Sequence, residues 1–66
     1  MQIILNGDKT IINNNMTIAQ LLQQFELDSR KVAVELNKNL VFHHNFDCTL
    51  ISQNDIIEIV HFIGGG

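Results

Sequence analysis

Only one stretch of this chain has helical periodicity, and it is short and apolar on one side. Ile18, Leu21, Leu22 and Phe25 recur at i, i+3, i+4 and i+7, while Gln20, Gln23, Gln24 and Glu26 turn to water. Its start is marked chemically. Thr17 is a good N-cap and Gln20 stands three residues on, so each side chain can bond the other's backbone N–H in a capping box. Met16 before the cap and Leu21 at the fourth helical position can staple the entry to the helix. A lone helix with one apolar stripe must bury it against something else, and the rest of the chain offers only strands.

Gln2-Ile3-Ile4-Leu5 is a short apolar strand, and Asn6-Gly7 tolerates the positive φ angles of a tight hairpin turn. Thr10-Ile11-Ile12 is the expected return strand, ended by Asn13-Asn14-Asn15, whose side chains compete for backbone hydrogen bonds. After the helix, Asp28-Ser29-Arg30 breaks the period. Val32, Val34 and Leu36 then alternate with Ala33 and Glu35 as in a half-buried strand. Asn37-Lys38-Asn39 turns the chain toward a short strand at Leu40-Val41-Phe42; His43 to Cys48 has no period and reads as loop, and Thr49-Leu50-Ile51 as a further short strand. Ser52-Gln53-Asn54-Asp55 is a turn cluster before the strongest strand, Ile56 to Ile63, dense in β-branched residues. With Glu58 facing solvent, Ile57, Ile59 and His61 fall on the inner face, and Val60 and Phe62 on the outer one. Two antiparallel strands cannot cover a helix alone, so the later strands must join the same sheet in a two-layer α+β core. Periodicity leaves the strand order open.

Sixty-six residues make one domain, since chains this short bury only about 60% of their unfolded surface. At 45% apolar and 17% charged the composition is that of a compact fold. The net charge of -3 and pI near 5.3 exclude nucleic acid as an expected partner, because only Arg30 and Lys31 adjoin among the cations. One cysteine, Cys48, permits no internal disulfide and suits a reducing compartment. No apolar run nears the roughly 18 residues of a membrane span, and the N-terminus lacks a basic n-region and a secretory h-region. A cytoplasmic protein without a membrane partner is expected.

The element order, the length and the ending Ile59-Val60-His61-Phe62-Ile63-Gly64-Gly65-Gly66 resemble the ThiS family, the sulfur carriers of thiamine biosynthesis. The likeness spans essentially the whole chain, and its most specific part is Gly65-Gly66 directly after the final strand. It implies a ubiquitin-like β-grasp fold: a mixed sheet of four to five strands crossed by one helix, with the first and last strands parallel at its centre. Residues 1–63 would form the domain and residues 64–66 a flexible glycine tail. The likeness also implies that a ThiF-type enzyme adenylates the terminal Gly66 carboxylate with ATP, that a thiocarboxylate follows, and that thiazole synthase takes the sulfur from it. The carrier would be a protein cosubstrate, with no catalytic residue and no bound cofactor of its own.

The residues suit that chemistry. A free α-carboxyl has a pKa of about 3.3 to 3.7, so at neutral pH Gly66 is an ionised oxygen nucleophile able to attack the α-phosphorus of ATP. Gly64 and Gly65, lacking Cβ, let the backbone enter a narrow channel. Ordering such a tail costs on the order of 1 to 2 kcal/mol per residue, so docking energy has to come from the domain. Val60 and Phe62 beside the tail are the candidates, together with His61, unless the loop from His43 to Cys48 covers them. His61 is alternatively a partly buried hydrogen-bonding residue. His43, His44 and His61 do not make a metal site, because adjacent histidines diverge along extended chain and no i, i+4 pair exists. Cys48 reads as a small packed or idle thiol. Other readings of the same features are a carrier for molybdopterin or tRNA thiolation, a ubiquitin-like modifier joined through Gly66 to lysine, and a β-grasp interaction module with an idle tail.

Overall fold

Residues 1–62 are described by a computed structural model. The first hairpin pairs β1 (Gln2–Leu5) with β2 (Asp8–Ile11). Asn6 and Gly7, at φ 49° and 86°, form its two-residue turn, both in the left-handed region that matches the twist of the flanking strands. The helix α1 (Ile18–Gln24) follows, then β3 (Val32–Leu36), β4 (Asn39–Val41) and β5 (Ile56–His61). Asn37 and Lys38, at φ 52° and 71°, make the second tight turn, between β3 and β4.

The sheet order is β2-β1-β5-β3-β4, with β5 central. β1 and β5 are parallel, Ile4 opposite Ile56 and Leu5 opposite Ile57, and every other pairing is antiparallel. Parallel neighbours need a long crossover, and here the helix and three further strands, β2, β3 and β4, lie between them in the chain. Among the described residues, the twelve buried apolar side chains form one cluster. Ile3, Val32, Val34, Ile57 and Ile59 come from the sheet and Ile18, Leu21 and Leu22 from the helix. Among the described residues no helix covers the opposite face of the sheet.

The capping box forms as its residues require: Gln20 N–H donates to Thr17 Oγ1 at 3.2 Å and Thr17 N–H to Gln20 Oε1 at 2.9 Å. The helix ends earlier than its apolar period suggests. Glu26 takes φ 58°, Glu26 N–H bonds Gln23 O at 3.0 Å and Leu27 N–H bonds Leu22 O at 2.9 Å, which is a Schellman stop. The reversal carries Leu27 onto the core and leaves Phe25 40% exposed, so Phe25 is not the fourth member of the buried stripe.

Other boundaries move as well. The return strand starts at Asp8 and stops at Ile11, with Ile12 buried just beyond it. The stretch expected as loop contains a 3-10 turn at His43–Asn45 that delivers Phe46, 4% exposed, into the core. Thr49 to Ile51 makes only a single bridge, Leu50 with Thr17. Ile63, expected to end the last strand, and Gly64 to Gly66 lie outside the described residues, as does the domain boundary expected between 63 and 64.

Candidate functional site

The last described residues of the chain are positioned by β5, the central strand. β3 holds it by an antiparallel register that sets Val60 opposite Ala33 and His61 opposite Val32, and Phe62 N–H donates to Lys31 O at 2.9 Å just beyond the ladder. On its other side, Asn6 N–H bonds Ile57 O at 2.9 Å, and Asn6 Oδ1 accepts Ile59 N–H at 2.8 Å. Asn37 fixes the start: its Oδ1 accepts Ile56 N–H at 2.9 Å while its Nδ2 donates to Asp55 Oδ1 at 3.0 Å.

The strand's faces divide as alternation requires. Ile57 and Ile59 are buried under the helix; Val60 and Phe62 are each 61% exposed on or beside the open face. The loop from His43 to Cys48 therefore does not cover them. His61 is on the core side by alternation yet exposed, so it is not a partly buried residue, and its side chain makes no hydrogen bond among the described residues. Val60 and Phe62 thus share the open face at the strand's exit, while His61 is exposed on its other side.

Two residues not singled out in the sequence extend this surface. Leu40 and Phe42 are exposed beside it, and with Ala33 and Phe62 they line a concavity of about 230 Å³ whose floor includes Phe46. Strand alternation over Leu40-Val41-Phe42 was the available signal, because it turns Val41 inward and the other two outward.

At the rim of this concavity Arg30 is already engaged. Its Nε and Nη2 donate to Asp28 Oδ1 and Oδ2 at 3.1 and 3.0 Å, and its backbone N–H donates to Asp28 Oδ1 at 2.9 Å. The guanidinium bonds, and then the backbone bond, lower the Asp28 carboxyl from its ordinary 3.8 to about 2. Asp28 in turn raises the Arg30 pKa through the same hydrogen bond.

Cys48 is exposed, its Sγ 3.5 Å from Asn45 O, so it is not a packed thiol. Among the described residues no group of three His, Cys, Asp or Glu side chains could hold a metal ion. No polar or charged residue among them is buried, and no helix among them is long and apolar enough to cross a membrane. What the described surface offers chemically is an exposed apolar patch of Leu40, Phe42, Val60 and Phe62 near the end of β5.

A protein-family model, the ThiS family, matches residues 2–66. The sulfur carrier protein ThiS of Bacillus subtilis is 40% identical over 50 residues, 76% of each chain. A thiazole synthase of Paramagnetospirillum magneticum is 39% identical over all 66 residues, and the chain spans 20% of that enzyme's length. The crystal structure of the thiamine biosynthesis protein ThiS from Geobacter metallireducens superposes with a TM-score of 0.87 at 28% identity, covering all of both chains. The α+β architecture, a five-stranded mixed sheet with one helix, is thus the β-grasp of that structure.

Proposed function

The chain belongs to the ThiS family, and we propose that it is a sulfur carrier of thiamine biosynthesis that works through the α-carboxylate of Gly66. The observation that carries this reading is the family match running to residue 66, so that it takes in the glycine ending as well as the domain. One carboxylate oxygen of Gly66 attacks the α-phosphorus of ATP and expels pyrophosphate. A sulfur nucleophile held by a partner then attacks the carbonyl carbon; a C–S bond forms, the C–O bond to phosphorus breaks and AMP leaves. The ATP is bound and consumed by a ThiF-type adenylating enzyme, while the carrier supplies the reacting end and no acid, base or metal. Gly64 and Gly65 carry that end through the enzyme's channel, and Val60, His61 and Phe62 form the docking surface at its mouth.

Thiazole synthase is the acceptor this reading favours. A segment 39% identical to this whole chain makes up a fifth of one such enzyme, which supports thiazole over molybdopterin or tRNA as the destination of the sulfur. The free thiol and acidic composition suit action in the cytoplasm.

The test is ATP–pyrophosphate exchange with the cognate ThiF-type enzyme, followed by intact-mass analysis for replacement of oxygen by sulfur. Amidating Gly66 removes the anionic nucleophile, and one alanine added after it moves the carboxylate by up to about 3.3 to 3.6 Å. Both changes should abolish exchange. Gly65→Val should fail through its added Cβ while keeping a competent carboxylate. Exchange at the parental rate by the amidated protein overturns the mechanism.

A further inference from the structure

The open face of the sheet carries a charge arrangement that the fold itself does not use. The antiparallel register of β3 and β5 sets Glu35 directly opposite Glu58, and both are exposed. Their neighbours Val34, Ile57 and Ile59 are buried under the helix, so alternation turns both carboxylates to the uncovered face. Like charges directly opposed across an antiparallel pair are destabilising. Nothing described offsets them: the one ion pair among the described residues is Arg30 with Asp28. Lys9 lies on β2, two strands from β5, and Lys38 in the turn after β3; neither forms an ion pair with them.

The surroundings of the pair are apolar. Leu40 stands opposite Glu35 on β4, Ala33 opposite Val60 is the next outward pair along, and Ile56 precedes Glu58 by two residues on the same face. This surface is continuous with Val60 and Phe62. An apolar partner covering it would bury two uncompensated carboxylates at high cost, whereas a partner bringing a cation would turn that cost into a gain. A second copy of this chain laid face to face would set acid against acid, and the same charge repels phosphate backbones.

Resting on the reading of this face as the docking surface, we infer that Glu35 and Glu58 together receive one arginine side chain of the ThiF-type enzyme that docks there. A guanidinium suits the position because its planar fork presents several donors to neighbouring carboxylates at once. Glu58 lies eight residues before Gly66, so the chain between them spans at most about 29 Å.

The experiment compares the full chain with Glu35→Gln, Glu58→Gln and the double variant by calorimetric titration against the cognate ThiF-type enzyme, at low salt and at about 0.5 M salt. Melting curves are recorded alongside. The double variant should melt at or above the parental temperature, lose about tenfold or more in affinity at low salt, and show a flatter salt dependence. Glu26→Gln, an exposed carboxylate at the end of the helix, should bind like the parent. Parental affinity and salt dependence in the double variant overturn the inference while leaving the carrier function standing. Unfolding of the double variant also overturns it, since the pair would then support the fold. Failure of the parent chain itself to bind overturns both this inference and the functional reading.

Discussion

Asn6, in the turn of the first hairpin, hydrogen-bonds Ile59, in the middle of the last strand: its Oδ1 accepts the Ile59 N–H at 2.8 Å across 53 residues of sequence. β1 ends at Leu5, so a side chain continues the pairing that its backbone no longer supplies. Asn6 meets a second demand at the same place, since it adopts φ 49°, a region that Asn tolerates better than most residues.

Asn6→Ala should therefore destabilise the domain by about 1 to 3 kcal/mol, the cost of leaving a partly buried N–H without its acceptor. Asn6→Asp, which retains the oxygen and tolerates the same φ, should recover most of that loss. Urea unfolding of both variants checks the pair. Equal destabilisation by Ala and Asp would show that the bond to Ile59 contributes little.

Thr17→Ala should cost about 1 kcal/mol, because it removes one of the two reciprocal bonds of the capping box. Adenylation by the partner enzyme should not change. A melt superimposable on the parent's would mean that water caps the helix as well as Thr17 does.

Val60→Asp and Phe62→Asp should each leave unfolding within about 0.5 kcal/mol of the parent, since both side chains are already largely in water. Each should weaken binding to the ThiF-type enzyme by more than about 1 kcal/mol, because a charge is then buried in an apolar contact. Titration of both variants decides the matter, and unchanged affinity in both would remove these residues from the docking surface.

Asp28 gives a pH prediction. Its carboxyl titrates at about 2 in the folded chain against an ordinary 3.8, held down first by the Arg30 guanidinium and then by the Arg30 backbone N–H. A depressed folded value means that its contribution is fully present above the unfolded pKa and is lost as pH falls through the folded one. The melting temperature of the parent should therefore decline between about pH 4 and pH 2 more steeply than that of Asp28→Asn. The asparagine retains an oxygen for the Arg30 N–H but not the ion pair. Parallel declines would show that other carboxylates dominate the acid response.

Local patterns decided much of this protein. The capping residues Thr17 and Gln20 marked the helix start, the period of two at Val32, Val34 and Leu36 marked β3, and the same period marked Ile57 and Ile59 as core and Val60 and Phe62 as outward, though not that His61 would be exposed. Each of these is settled by residues within a few positions of one another, so it is legible in the chain alone. Tertiary structure decided what depends on distant partners. The order β2-β1-β5-β3-β4 sets Glu35 against Glu58, and no periodicity encodes which strands become neighbours. Phe46 has no period around it and is buried because a 3-10 turn aims it at a core built elsewhere. Phe25 fits the helical stripe but loses its place to Leu27, because Glu26 reverses the chain and a leucine two residues later reaches the same core. Sequence period reports which face a side chain prefers, while burial requires another element to cover that face, and only the assembled fold supplies it.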